Sequence, residues 1–125
     1  MPPPDDRACL WDMRDYAERA ARLVEGVNYD DYRANQALCL AVERAIEIIG
    51  EAARRLSLDT RQKHPEIPWR EIIAQRNVLA HRYDVIDPEL TWLVASGELP
   101  TLVRSLDALL AEYDAAEDVE AERTD

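Results

Sequence analysis

One stretch of this 125-residue chain places a histidine five residues after an arginine: Arg76-Asn77-Val78-Leu79-Ala80-His81-Arg82-Tyr83. An imidazole titrates near pH 6.5, so it can take or give a proton at neutral pH, and a guanidinium stays charged and can grip two phosphate oxygens at once. Together they are the groups that metal-free cleavage of an RNA phosphodiester requires. One moves protons at the 2′-hydroxyl or the leaving oxygen, and the other stabilises charge on phosphorus. An Arg and a His five apart carry little weight on their own, so the surrounding pattern has to decide.

Helical spacing separates the pair. At roughly 100° per residue, positions 76 and 81 point about 140° apart. Asn77, His81 and Asp84 follow one another at i, i+4 and i+7 on one face, and Arg76, Ala80 and Tyr83 fall on another. For Arg76 and His81 to meet at one phosphate, the helix must distort near its end, or two subunits must set their motifs across one cleft. Asn77 and Asp84 are placed to hydrogen-bond the imidazole and set its tautomer, although Asp84 serves equally as a loop cap. Tyr83 reads as packing at a helix end, as a substrate-orienting hydroxyl or as a modification target.

The elements that must position these residues are helices. Apolar residues recur at Cys9, Met13, Tyr16, Ala20 and Leu23, one face of a helix over Asp6 to Val24 that Gly26 ends. A second helix is expected from about Tyr32 to Leu56, capped by Asp30 or Asp31, with Leu38, Val42, Ala45, Ile49, Ala52 and Leu56 inward. Its series Glu43, Arg44, Glu47, Glu51, Arg54 and Arg55 reads as a solvated face. Pro68 suits the first turn of a third helix running to about Tyr83. Asp87-Pro88 caps a short helix through Trp92, closed by Gly97. A last helix from about Leu99 faces Leu102, Val103, Leu106, Leu109, Leu110 and Tyr113 inward. Trp11, Trp69 and Trp92 read as packing residues and His64 as a surface histidine. No strand periodicity appears over a useful length. The expected fold class is all-α, an antiparallel four- to five-helix bundle in a single domain over residues 1–125, with 1–5 and about 115–125 frayed.

Composition limits the remaining classes. Net charge is −11 and cysteines number two, Cys9 and Cys39, with no CxxC spacing, so buried free thiols are expected. The longest apolar run, Ala37 to Val42, is far short of the roughly 20 residues that cross a bilayer. The start, Met1-Pro2-Pro3-Pro4-Asp5-Asp6, lacks the pattern of a secretory signal, and a cytoplasmic location is expected. There is no Gly-rich phosphate loop, no GxSxG elbow and no HExxH or EF-hand pattern. Acidity argues against a general nucleic-acid binder. Its distribution is uneven: residues 59–83 hold 5 basic and 3 acidic side chains, whereas 84–125 hold 2 and 12. The only net-positive segment ends in the Arg-His-Tyr motif. For a chain of this size, pairing with a second copy is an ordinary way to add burial.

These residues resemble a known family. Arg76 to Tyr83 is similar to the RX4HXY signature of HepT-like proteins in the HEPN superfamily, partners of minimal nucleotidyltransferase antitoxins. The runs Ala41-Val42-Glu43-Arg44-Ala45-Ile46-Glu47-Ile48-Ile49-Gly50-Glu51-Ala52-Ala53 and Pro65-Glu66-Ile67-Pro68-Trp69-Arg70, and Leu99-Pro100, also look like that family's, in the same order. The resemblance implies a HEPN helical bundle and a homodimer whose two motifs line one cleft. It further implies an endoribonuclease toxin, acting on messenger or transfer RNA without metal or cofactor, in a type VII-like toxin–antitoxin system. Arg76 and His81 become the catalytic pair with Asn77 beside them, and Tyr83 the tyrosine to which the nucleotidyltransferase transfers AMP. A catalytically silent helical module that binds and assists a nucleotidyltransferase is the alternative.

Overall fold

The computed structural model describes residues 5–81 and 86–124, at positions 81 and 124 the backbone alone. Its elements are α1 (Asp6–Val24), α2 (Tyr29–Ala34), α3 (Gln36–Arg55), α4 (Leu58–Lys63), α5 (Trp69–His81), α6 (Pro88–Leu93), a π-helical turn (Val94–Glu98) and α7 (Leu99–Thr124). No strand occurs among the described residues, as an all-α bundle requires. Helix α3 packs between α1 and α5, and α1 packs between α3 and α7. Among the described residues no helix is long and apolar enough to cross a membrane.

Side-chain caps set the boundaries. Asp5 accepts from the Ala8 amide at 3.1 Å to open α1, and Gly26 at φ 73° turns the chain out of it in a backbone region that favours glycine. The single helix expected from Tyr32 to Leu56 is two. Asn35 sits in an extended conformation between them, ending α2 and accepting from the Leu38 amide at 3.0 Å to start α3. A short amide side chain competes with the helical ladder at that point, and Asn28, not Asp30 or Asp31, caps α2. The short helix α4, capped by Ser57, follows where the sequence reading placed none.

Gly97 does not close a helix either. The chain runs from α6 through the π turn straight into α7, with the Leu99 amide bonded to the Val94 carbonyl five residues back. Pro100 lacks an N–H and its ring crowds the carbonyl four residues before it, so one wider turn lets the helix pass the proline. Asp87 caps α6 and Pro88 occupies its first turn, as the spacing predicts. Helix α7 is helical through Thr124, with the described side chains after Tyr113 exposed.

The core is a continuous apolar layer. On α1 it runs Leu10, Met13, Ala17, Ala20 and Val24, about one position round from the predicted stripe, which leaves Leu23 exposed. Val42, Ala45, Ile46, Ile49 and Ala53 of α3 and Leu102, Leu106, Leu109 and Leu110 of α7 complete it. Tyr32 is fully buried, and its hydroxyl lies 2.8 Å from Thr91 Oγ1, pinning α2 to α6. Burial pushes the Tyr32 hydroxyl up to about 12, so it stays protonated and able to donate. Trp69 is core, its indole N–H donating to the His64 carbonyl at 2.9 Å, and Trp92 donates to the Val27 carbonyl at 3.2 Å. Trp11 departs from the packing expectation: it is 50% exposed, with the Arg14 guanidinium over its ring. His64 is more covered than a surface histidine, its Nδ1 lying 3.3 Å from Glu66. Cys9 and Cys39 are free and half-buried, and burial raises the Cys9 thiol above its ordinary range.

Candidate functional site

Helix α5 is held differently from the other long helices. Among its described side chains only Trp69 and Ile72, in its first turn, are buried, and Val78 on its distal half is 43% exposed. Its seat on α3 is made by a missing side chain. A Cβ on Gly50 would overlap Arg76 Cβ outright and lie 2.9 Å from the Ile72 carbonyl oxygen. Glycine at position 50 therefore lets the two backbones approach directly beneath Arg76. This is a close-approach glycine, with ordinary helical dihedrals.

The same contact delivers a carboxylate. Glu51 Oε2 lies 3.1 Å from Arg76 Nη2, the two side chains 31% and 18% exposed. The angle is not that of a directed hydrogen bond, and Glu51 Oε2 and Arg76 Nε are both buried without one. On the other side Arg76 Nη1 donates to Asn77 Oδ1 at 3.1 Å. The guanidinium is thus stretched between a carboxylate of α3 and the amide of its own neighbour. A long cationic side chain otherwise has several rotamers of similar energy, and these anchors restrict Arg76 to few.

Arg76 lines a polar hollow of about 300 Å³ between α3 and α5 with Glu47, Glu51 and Arg55. Asn77 lines a different, wider groove on the α4 side of α5 with Arg61 and Arg70. Adjacent motif residues therefore face two grooves, joined by the Arg76–Asn77 hydrogen bond. That matches the separation of two stripes read from helical spacing. His81 is the last residue of α5, but its side chain lies outside the described residues, as do Tyr83 and Asp84. The structure accordingly gives the placement of Arg76 and Asn77 among the predicted site residues, and for His81 only its element.

Sequence reasoning missed Gly50 and Glu51. Glu51 also pairs with Arg54 at 3.2 Å and Arg55 at 3.8 Å, and those intrahelical pairs are what made the whole charge series read as solvated surface. A glycine inside an otherwise uninterrupted helix was the available signal, since it costs roughly 1 kcal/mol against alanine unless something packs there. Among the described residues no cluster of three or more His, Cys, Asp or Glu side chains is grouped to hold a metal ion.

Comparison with known proteins bears on this geometry. Residues 13–109 match the family model described as "Ribonuclease HepT-like". A Methanocaldococcus jannaschii protein named "Putative RNase MJ1380" is 34% identical over 103 residues, covering 82% of this chain and 94% of its own length. A Thermococcus cleftensis protein named "Probable ribonuclease HepT" is 33% identical over 103 residues, covering 77% and 94%. A second M. jannaschii protein, "Putative RNase MJ1216", is 29% identical over 118 residues, covering 94% and 98%. No solved structure matches.

Proposed function

Since the chain belongs to the HepT-like ribonuclease family, we propose that it is an endoribonuclease in which Arg76 and His81 act together on one RNA phosphodiester. The observation that carries this reading is the clamped Arg76 guanidinium. It is held by Glu51 and Asn77 on the helix that ends at His81, so a cation is fixed in place before substrate arrives.

In the proposed reaction the 2′-oxygen attacks phosphorus. The O2′–P bond forms and the P–O5′ bond breaks, leaving a 2′,3′-cyclic phosphate and a 5′-hydroxyl. An imidazole takes the 2′ proton, and a proton is returned to the departing 5′-oxygen. Arg76 stabilises the charge that builds on the non-bridging oxygens. Helical spacing keeps Arg76 and His81 of one chain on separate faces, and a homodimer with both motifs across one cleft brings them onto one phosphate and supplies two imidazoles. No step in this scheme needs a metal.

The biological setting we propose is a toxin of the cytoplasm, controlled by a minimal nucleotidyltransferase that transfers AMP to Tyr83. An added phosphate beside the motif would repel RNA and engage Arg76. Purified protein with RNA in EDTA tests the chemistry: cleavage is expected, and is expected to vanish in both His81→Ala and Arg76→Ala. Cleavage that persists in both variants, or a wild type that binds a nucleotidyltransferase stably yet cuts no RNA, would sink the catalytic reading. For regulation, intact mass after incubation with the nucleotidyltransferase and ATP should rise by one or more AMP units, and Tyr83→Phe should stay unchanged.

A further inference from the structure

The groove on the α4 side of α5 has a volume of about 660 Å³ and is open to solvent. Arg61 of α4 and Arg70 of α5 line it, with Gln62 beside Arg61 and Asn77 at the motif end, over a floor that includes Pro68 and Ile73. We infer that this groove carries the sugar–phosphate backbone of the RNA strand flanking the scissile bond, with Arg61 and Arg70 as its phosphate contacts. The inference rests on the ribonuclease reading above and adds the path by which substrate reaches the site.

Three observations support it. The first is pairing. In a chain with 26 acidic residues most described arginines are claimed: Arg7, Arg14, Arg19, Arg22, Arg44, Arg54, Arg55 and Arg76 each meet a carboxylate. Arg61 and Arg70 meet none among the described residues, and both line this groove. The second is an unused donor, because Arg61 Nε is buried without a hydrogen-bond partner. The Arg61 guanidinium therefore has donor capacity that no described protein group uses, and phosphate oxygens are charge-assisted acceptors for such a group.

The third is placement. Arg70, Asn77 and position 81 succeed one another at seven and four residues, the spacing of one helical stripe. Arg70 and Asn77 lie about 10 Å apart along the axis, which is about three nucleotides of a stacked strand. A strand lying along this stripe would pass Arg61 and Arg70 before reaching Asn77, whose amide is already bonded to Arg76. The groove also lies in the only net-positive stretch of the chain, residues 59–83, so an acidic protein can still draw a polyanion to one face. Glu71 also lines the groove, and against Arg61 and Arg70 its single carboxylate leaves the lining net positive.

The experiment uses the full chain carrying His81→Ala, so that RNA is bound but not cut, with a fluorescent single-stranded 12-mer and a salt titration. Arg61→Ala and Arg70→Ala should each weaken binding by about 3- to 10-fold and reduce the slope of log affinity against log salt by about 0.7, the double variant by about 1.4. Arg104→Ala, which removes the same charge at the far end of the bundle, should change neither. With His81 restored, KM for the 12-mer should rise in the two groove variants, whereas cleavage of a dinucleotide, too short to reach the groove, should be unchanged. Arg70 is exposed, so its variant folds whether or not Arg61→Ala does. Wild-type affinity and salt slope in Arg70→Ala, alongside intact RNA cleavage by the parent, would overturn the groove and leave the ribonuclease reading standing. A parent chain that neither binds nor cuts RNA overturns both.

Discussion

The α1–α3–α7 layer and helix α5 are built on opposite principles. The layer is held by volume: Leu10, Met13, Val42, Ile49, Leu106 and Leu109 are almost fully buried and interlock across three helices. Helix α5 buries Trp69 and Ile72 at one end, packs Ile73 and Leu79 only partly buried against the core, and is seated under Arg76 by the absence of a side chain at Gly50 and by the charge of Glu51. One region carries stability and tolerates no loss of volume. The other carries the candidate chemistry and depends on placement of a single guanidinium, with little apolar burial behind it.

This contrast can be broken from either side. The largest effect should come from the layer: Leu106→Ala removes a fully buried side chain and should cost about 2–5 kcal/mol in denaturant melts. At temperatures where the variant remains folded, cleavage per folded molecule should be near normal. Gly50→Ala comes next, and it should cost about 1–3 kcal/mol, because the new methyl overlaps Arg76 and forces α5 outward. Unlike the layer variant, it should also lose most cleavage under conditions where it is fully folded. Equal activity loss in both variants would erase the distinction between the two regions.

Smaller effects sharpen it. Glu51→Gln keeps the shape but removes the charge that holds Arg76, and kcat/KM should fall about tenfold, or about 1.4 kcal/mol of transition-state stabilisation, with thermal stability almost unchanged. Glu51 acts through Arg76, so its variant should combine with Arg76→Ala without further loss; an additive double variant would assign it another role.

The smallest predicted change lies at the end of the layer, where Asp6 accepts from the Ser57 amide at 3.0 Å, from Ser57 Oγ at 2.6 Å and from Thr60 Oγ1 at 2.5 Å. Desolvation raises the Asp6 carboxyl, but these bonds together outweigh it and hold the group below its ordinary 3.8. A depressed folded value means that the ionised group stabilises the fold above the unfolded value, and that this stabilisation is lost as pH falls through the folded one. Asp6→Asn should cost about 1 kcal/mol near neutrality and show a shallower stability loss below pH 4. Parallel acid titrations would contradict this.

Much of the fold was legible because its signals are local. Asp87-Pro88 reads as a cap and a first-turn proline, Gly26 as an exit, and the apolar steps of three and four as buried stripes, each decided within one or two turns of chain. Errors fell where two local rules competed. Asn35 sits inside an apolar-periodic run whose stripe continues on both sides, so periodicity suggested one helix while the amide side chain broke it. Pro100 and Gly97 look like a stop, yet a π turn lets the helix pass. The candidate site divides the same way. Its two stripes on α5 follow from spacing alone, whereas its anchor does not.

The Arg76-to-Tyr83 motif is a property of sequence, as are the helices that carry it and the family to which it belongs, because residue identity and periodic spacing are contained in the chain order. Tertiary structure alone selected Glu51 from the three carboxylates Glu43, Glu47 and Glu51 on α3 and turned Gly50 from a weak point in a helix into the seat of α5. It also left Arg61 and Arg70, among the described residues, without a carboxylate partner in one groove. A carboxylate three or four residues from an arginine is visible in the sequence. One that meets an arginine 25 positions later depends on how two helices lie against each other.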